Sequence, residues 1–286
     1  MRRFKTLFVL WAIVAVSCSG PVSETAVAED AAGRLFIIGG GSRPVEMVNR
    51  MIDEAGVRDQ GYVVILPMSS AEPDSAIIWS GQQFVRQGAA HVTGFNFIAG
   101  ETPPQHWLDS LRNAPLIYIS GGSQGRFMNV VDGTPIFDAI HEAFANGALI
   151  AGTSAGAAVM SEKMITGDQL RYTEYRPTFP VIEADNIDLA EGLGLLKTAI
   201  IDQHFVWRSR HNRLITSVLE YPELPGIGID ESTAILVNGN TAEVVGIAQV
   251  LVFRNPNSSR NYYNAKMGGH GLILDVFLPG ETFTIQ

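Results

Sequence analysis

The sequence predicts an α/β fold in which a mostly parallel sheet carries helices on both faces. Short, fully apolar runs, helix-length segments between them, and glycine-rich turns directly after the runs support that reading. A strand that is apolar on both sides must be covered on both sides, which is the situation of a parallel sheet between helical layers. Leu35–Ile38 is the first such strand, ended by Gly39-Gly40-Gly41, and a helix follows from about Pro44 to Ala55. Tyr62–Leu66 is the second, with a helix near Asp74–Gln87. His91–Phe97 and Leu116–Ile119 read as two more strands, and a helix over Pro135–Asn146 leads into Ala148–Ala151. After Asn238 the runs alternate, as in Ala242–Val252 and Leu272–Phe277, which predicts antiparallel C-terminal strands extending one sheet edge. No linker or internal repeat interrupts residues 33–286, so they are expected to form one domain.

Composition narrows the function. The chain has 286 residues, 46% hydrophobic and 17% charged, with 20 Lys+Arg against 29 Asp+Glu and a formal net charge of -9. Such a balance argues against disorder, and an acidic surface does not attract phosphate backbones, so no nucleic-acid partner is expected. One cysteine, Cys18, cannot build a disulfide framework or a thiolate metal site.

Residues 1–32 read as a leader and tether. Met1-Arg2-Arg3-Phe4-Lys5 is basic, and Leu7–Val16 is an apolar run. The run falls short of the roughly 20 residues that span a bilayer but suits a secretory segment. Ala15-Val16-Ser17-Cys18 resembles the lipobox of bacterial lipoproteins, which would make Cys18 a lipidation site; Ala26-Val27-Ala28 is a competing cleavage site. The expectation is an exported protein, periplasmic or anchored at the outer membrane through Cys18, or secreted.

Gly152-Thr153-Ser154-Ala155-Gly156 follows a buried strand and precedes a small-residue run. This is G-x-S-x-G in the strand–turn–helix setting of a nucleophile elbow, where a serine sits at a helix N-terminus. Ser154 then needs a base. His204, in Asp202-Gln203-His204-Phe205, ends an apolar run where an open α/β sheet binds ligands, and His270 in Gly268-Gly269-His270-Gly271 is its rival. Arg208, Arg210 and Arg213 follow His204 closely and could fork-bond carboxylates. Gly39-Gly40-Gly41 hints at a dinucleotide fingerprint, but Pro44 stands where its third glycine belongs, so no nucleotide cofactor is expected. Gly121-Gly122-Ser123-Gln124 could supply a second oxyanion N–H beside that of Ala155.

Together these stretches resemble cyanophycinase and its relatives, the serine peptidase family that also holds the aspartyl dipeptidases. The matching segments are Phe36–Gly41, Gly121–Gln124, Gly152–Met160, Asp202–Phe205 with Arg208, Arg210, Arg213 and Leu214, and Gly226–Ala234. The resemblance implies a fold like that of class I glutamine amidotransferases, with serine in place of their cysteine. It implies Ser154 as nucleophile, His204 as base, and an oxyanion hole from Gly121, Gly122 and Ala155. Gln124, Asp202, Gln203, Arg208, Arg210 and Arg213 would line the substrate pocket. No metal or cofactor belongs to this chemistry. The expected substrate is β-aspartyl-arginine polymer or a related aspartyl peptide, and a homodimer is left open. Ser123 departs from the aspartate usual in that family. The orienting acid is expected fifteen to twenty residues after the serine, where Asp168 and Glu174 are candidates and Glu174 is preferred. An α/β-hydrolase-type esterase using His270 and Asp230, and a non-catalytic peptide-binding surface lipoprotein, are the alternatives.

Overall fold

Buried β-branched and aromatic runs pair into one large sheet, with helices packed on both of its faces. The computed structural model describes residues 33–286, apart from 173, 175 and 177. The leader, Cys18 and the Ala26-Val27-Ala28 site lie outside the described residues. In chain order the first elements are β1 (Arg34–Ile38), α1 (Val45–Ala55), β2 (Val63–Leu66), α2 (Pro73–Arg86), β3 (Val92–Gly94) and α3 (Gln105–Arg112). Next come β4 (Leu116–Ile119), α4 (Gln124–Val131), α5 (Pro135–Ala145), β5 (Leu149–Thr153), α6 (Ala155–Ala158), β6 (Lys163–Gln169) and β7 (Ile187–Glu191). The remainder is β8 (Ile200–Gln203), α7 (His211–Glu220), β9 (Gly226–Ile229), β10 (Thr233–Asn238), β11 (Thr241–Gly246), β12 (Val250–Arg254), β13 (Asn261–Tyr263), β14 (Lys266–Gly268), β15 (Ile273–Phe277) and β16 (Thr282–Thr284).

The large sheet runs β16-β11-β10-β1-β5-β4-β2-β3. Its five strands from β1 to β3 are mutually parallel, and β10, β11 and β16 add an antiparallel edge. Alternate residues of β1 enter different cores. Phe36 and Ile38 pack with Met47, Met51 and Phe84 of α1 and α2, while Leu35 and Ile37 pack with Leu111, Phe127 and Ile140 of α3, α4 and α5. This two-faced burial is what the unbroken apolar runs required. The fold is therefore mostly parallel with helices on both faces and antiparallel C-terminal strands.

The C-terminal strands divide differently from the expectation. Ala242–Val252 is not one strand: the chain turns after Gly246, and only β11 joins the large sheet, between β10 and the edge strand β16. β12 and β15 instead join a second sheet, ordered β15-β12-β9-β8, in which β8 and β9 are parallel. One face of that sheet supplies Ile227, Ile229, Val250 and Val252 to the larger core; the other buries Leu251 and Phe253 with Leu214 and Val218 of α7. Strand alternation was legible locally, but which sheet accepts a strand is settled by long-range pairing. His91–Phe97 is likewise shorter than expected, with only Val92–Gly94 in the sheet.

Candidate active site

Ser154 leaves β5 with φ 54 and ψ -109, a conformation that costs a non-glycine residue backbone strain. The turn is held by the Ser154 N–H, which donates to Ile38 O at 3.0 Å. It also needs a residue without a side chain at 156, since a Cβ there would lie 2.3 Å from Ile119 O. The result lifts the Ser154 hydroxyl beyond the C-terminal ends of β1 and β5, where open α/β sheets place their ligands.

His204 reaches the same point from β8. It too is left-handed, at φ 50, and its N–H donates to Gly39 O at 2.6 Å. The His204 Nε2 lies 2.8 Å from Ser154 Oγ, and Nδ1 lies 2.5 Å from Glu231 Oε1. A carboxylate only accepts, so it fixes the proton on Nδ1 and leaves Nε2 to accept the Ser154 hydroxyl. Burial pushes the His204 pKa below the ordinary histidine value; the Glu231 hydrogen bond opposes that, while the Arg208 and Arg210 charges reinforce it. The ring is therefore neutral at pH 7 and able to take a proton.

The first glycine turn explains how His204 fits. A Cβ on Gly40 would stand 2.2 Å from His204 Cε1, so the imidazole occupies the space a side chain would need. Gly40 O accepts the Ser232 N–H at 2.8 Å, and the Ser42 and Ser232 hydroxyls are 3.2 Å apart. Gly39 thus holds His204 directly, and Gly40 holds Ser232, the residue next to Glu231. This turn packs against the His204 ring and positions it.

The carboxylate in contact with His204 is Glu231, and not Glu174 or Asp168 as expected from sequence. Glu174 is 82% exposed and pairs with Arg176, and Asp168 is exposed with its N–H on Thr166 Oγ1. β6 and β7 form a separate two-stranded sheet, so an acid close to Ser154 in sequence is carried away in space. Glu231 sits in the turn between β9 and β10, which ends beside β1. Its signal was present in the Gly226–Ala234 stretch, an acidic pair after an apolar strand at the sheet's functional edge, but sequence distance from Ser154 hid it.

The oxyanion candidates converge. A Cβ on Gly121 would lie 3.5 Å from Ser154 Cβ. Among the described residues the N–H groups of Gly121, Gly122 and Ala155 donate to no acceptor. Ser123 caps α4 by accepting the Arg126 N–H at 3.2 Å.

Most of the expected pocket residues are tied to one another. Asp202 is buried and binds Arg213 through Nε at 2.6 Å and through Nη2, with Arg210 at 3.7 Å. Arg210 Nη1 also donates to Gln203 O and Oε1, at 2.7 and 2.8 Å. Gln124 Nε2 donates to Ile165 O and Thr166 O. Half-buried Arg208 makes no ion pair among the described residues. His270 is exposed, near Asn261 and with its N–H on Ser259 Oγ, and Asp230 Oδ1 accepts the Trp207 N–H. The esterase assignment of His270 and Asp230 is therefore corrected: neither contacts Ser154.

A serine hydroxyl, a neutral imidazole and a carboxylate in line, with unpaired N–H groups beside the serine, can carry out acyl transfer. The family model for peptidase family S51 matches residues 35–245. The chain belongs to peptidase family S51. It is 32% identical to a cyanophycinase of Nostoc sp. over 87% of this chain and 84% of the relative. A cyanophycinase of Geminocystis herdmanii is 31% identical over 76% of this chain and 79% of that protein. A solved peptidase from an acI-B1 Actinobacterium superposes with a TM-score of 0.65 at 20% identity, covering 88% of this chain and 96% of that one. A putative peptidase E protein from Listeria monocytogenes gives 0.53 at 17% identity, over 76% and 99%. Those two share the fold. This S51 chain is a serine-type peptidase.

Proposed function

We propose that this S51 peptidase hydrolyses β-aspartyl-arginine polymer or related aspartyl peptides, with Ser154 as nucleophile, His204 as base and Glu231 as the orienting acid. The observation that carries the reading is the continuous contact from Ser154 Oγ through the His204 ring to Glu231, at 2.8 and 2.5 Å. Ser154 Oγ attacks the scissile carbonyl carbon while its proton passes to His204 Nε2. The N–H groups of Ala155 and the Gly121-Gly122 turn hold the oxyanion. His204 returns the proton to the departing amine, the C–N bond breaks, and an acyl-Ser154 remains. Water, deprotonated by His204, then attacks the ester carbonyl, and Ser154 recovers its proton as the acid product leaves. The substrate class rests on the cyanophycinase relatives. The test offers purified protein cyanophycin, β-aspartyl dipeptides and α-aspartyl controls. Turnover confined to the β-linked substrates and lost in Ser154→Ala is the expected result; turnover of none, or turnover unchanged in Ser154→Ala, refutes it.

The proposed location is outside the cytoplasm, on the basic start, apolar run and Cys18 of the leader. Mass spectrometry of the mature N-terminus is expected to find a lipidated Cys18, and Cys18→Ser is expected to release the protein from the membrane fraction. A mature chain that still begins at Met1 would sink this part.

A further inference from the structure

In this acidic chain most described arginines are neutralised by a carboxylate: Arg34 by Glu54, Arg50 by Glu243, Arg112 by Asp109 and Glu142, Arg254 by Asp275. Arg210 and Arg213 belong to Asp202. The arginines that make no ion pair among the described residues are Arg43, Arg86, Arg126, Arg208 and Arg260.

Three of these five leave the loops that assemble the candidate site. Arg43 follows the Gly39–Gly41 turn and donates from Nη1 to Gly41 O at 2.9 Å, with Nε on Gln83 Oε1. Arg126 follows the Gly121-Gly122 turn and donates from Nη1 to Ser69 O at 2.6 Å, the same carbonyl that accepts the Ser123 N–H. Arg208 lies one turn beyond His204, and its N–H donates to His204 O at 2.9 Å. Each guanidinium at 43 and 126 is steadied by neutral acceptors only, which fixes its position and leaves its charge uncompensated. Arg126 is exposed, and Arg43 and Arg208 are half-buried. A guanidinium so placed has donors to spare for a planar carboxylate.

We infer that Arg43 and Arg126 join Arg208 in a positive rim around the Ser154–His204 site that selects substrates carrying free carboxylates on both sides of the scissile bond. The inference rests on the proposed peptidase function and extends it: the pocket residues Arg210 and Arg213 are held by Asp202, and recognition of flanking charge passes to other loops. Arg86 and Arg260 lie on none of the turns that carry Ser154, His204 or the oxyanion N–H groups, and they set the contrast. Arg86 ends α2 on Gln82 Oε1, and Arg260 rests on Glu220 O.

The experiment uses two β-aspartyl-linked peptides that differ only in Asp or Asn at the flanking positions. Hydrolysis by the wild-type protein is measured at low and high salt, and binding to Ser154→Ala protein is measured in parallel by fluorescence anisotropy. The Asp peptide is expected to bind and react about five- to tenfold better at low salt, the size of two or three half-exposed charge contacts, and to lose that advantage at high salt. In R43Q/R126Q the ratio is expected to fall by at least half, through the KM of the Asp peptide, with Arg208 holding the remainder. R86Q/R260Q removes the same net charge and is expected to keep the wild-type ratio. Equal binding of the two peptides, or an equal loss of preference in both double variants, overturns the rim. Absence of Ser154-dependent hydrolysis with a preserved binding preference instead overturns the peptidase mechanism and leaves the rim standing.

Discussion

Replacing Glu231 by glutamine tests the assignment of the orienting acid most directly, because the shapes match and only charge and proton direction change. His204 becomes an imidazolium when it takes the Ser154 proton, and Glu231 faces it through a 2.5 Å contact. With charge centres about 4 Å apart and an effective dielectric near 20, that attraction amounts to about 4 kcal/mol. The Glu231 side chain is 26% exposed, so solvent screens part of it and about 3 kcal/mol is a fairer figure. That corresponds to a rate loss on the order of 10²-fold. The amide introduced by Glu231→Gln can also donate to Nδ1, leaving the proton on Nε2, where it can no longer accept from Ser154. Loss of the correct tautomer in a serine triad costs on the order of 10⁴-fold, so the two effects together predict a fall in kcat of about 10³- to 10⁴-fold. KM should move by less than about threefold, since the acid touches no substrate. Steady-state kinetics on a β-aspartyl substrate, with Glu174→Gln as the comparison, reads this out. Activity within tenfold of wild type in Glu231→Gln, or a larger loss in Glu174→Gln, would refute the reasoning.

Gly40→Ala is expected to lower kcat at least about 10²-fold while the protein stays folded, because the new Cβ must displace the His204 ring from 2.2 Å away. Slower labelling of Ser154 by a fluorophosphonate, with an unchanged circular dichroism spectrum, checks it; wild-type labelling would show the contact to be slack. The pH profile of kcat/KM should have an acid limb below about 6.5, because burial favours the neutral, proton-accepting His204. Arg208 reinforces that shift, so Arg208→Gln should raise the His204 pKa and move the acid limb to higher pH. A limb that stays put or moves down contradicts the assigned cause. Asp202→Asn leaves two buried guanidiniums without their carboxylate and should destabilise the fold by about 3–5 kcal/mol in urea unfolding. A loss below about 1 kcal/mol would mean the arginines find other partners.

The layered α/β architecture was legible in the sequence, since runs apolar on both faces admit no other environment: Leu116–Ile119 is β4 residue for residue, and the G-x-S-x-G turn falls at the end of β5. Ser154 and His204 were legible too, because each stands directly after a buried run at the edge where ligands meet such a sheet. Which acid completes the pair depends on packing. Orientation of His204 is a matter of ångströms between chain segments, and β6–β7 carries Glu174 out to solvent while the β9–β10 turn brings in Glu231 from 77 residues beyond Ser154. Packing also takes β12 and β15 out of the large sheet, since strand pairing depends on partners far along the chain. The arginines divide in the same way. Composition reveals how few positive charges there are, but only the packed molecule shows that Asp202 holds Arg210 and Arg213 while Arg43, Arg126 and Arg208 make no ion pair among the described residues.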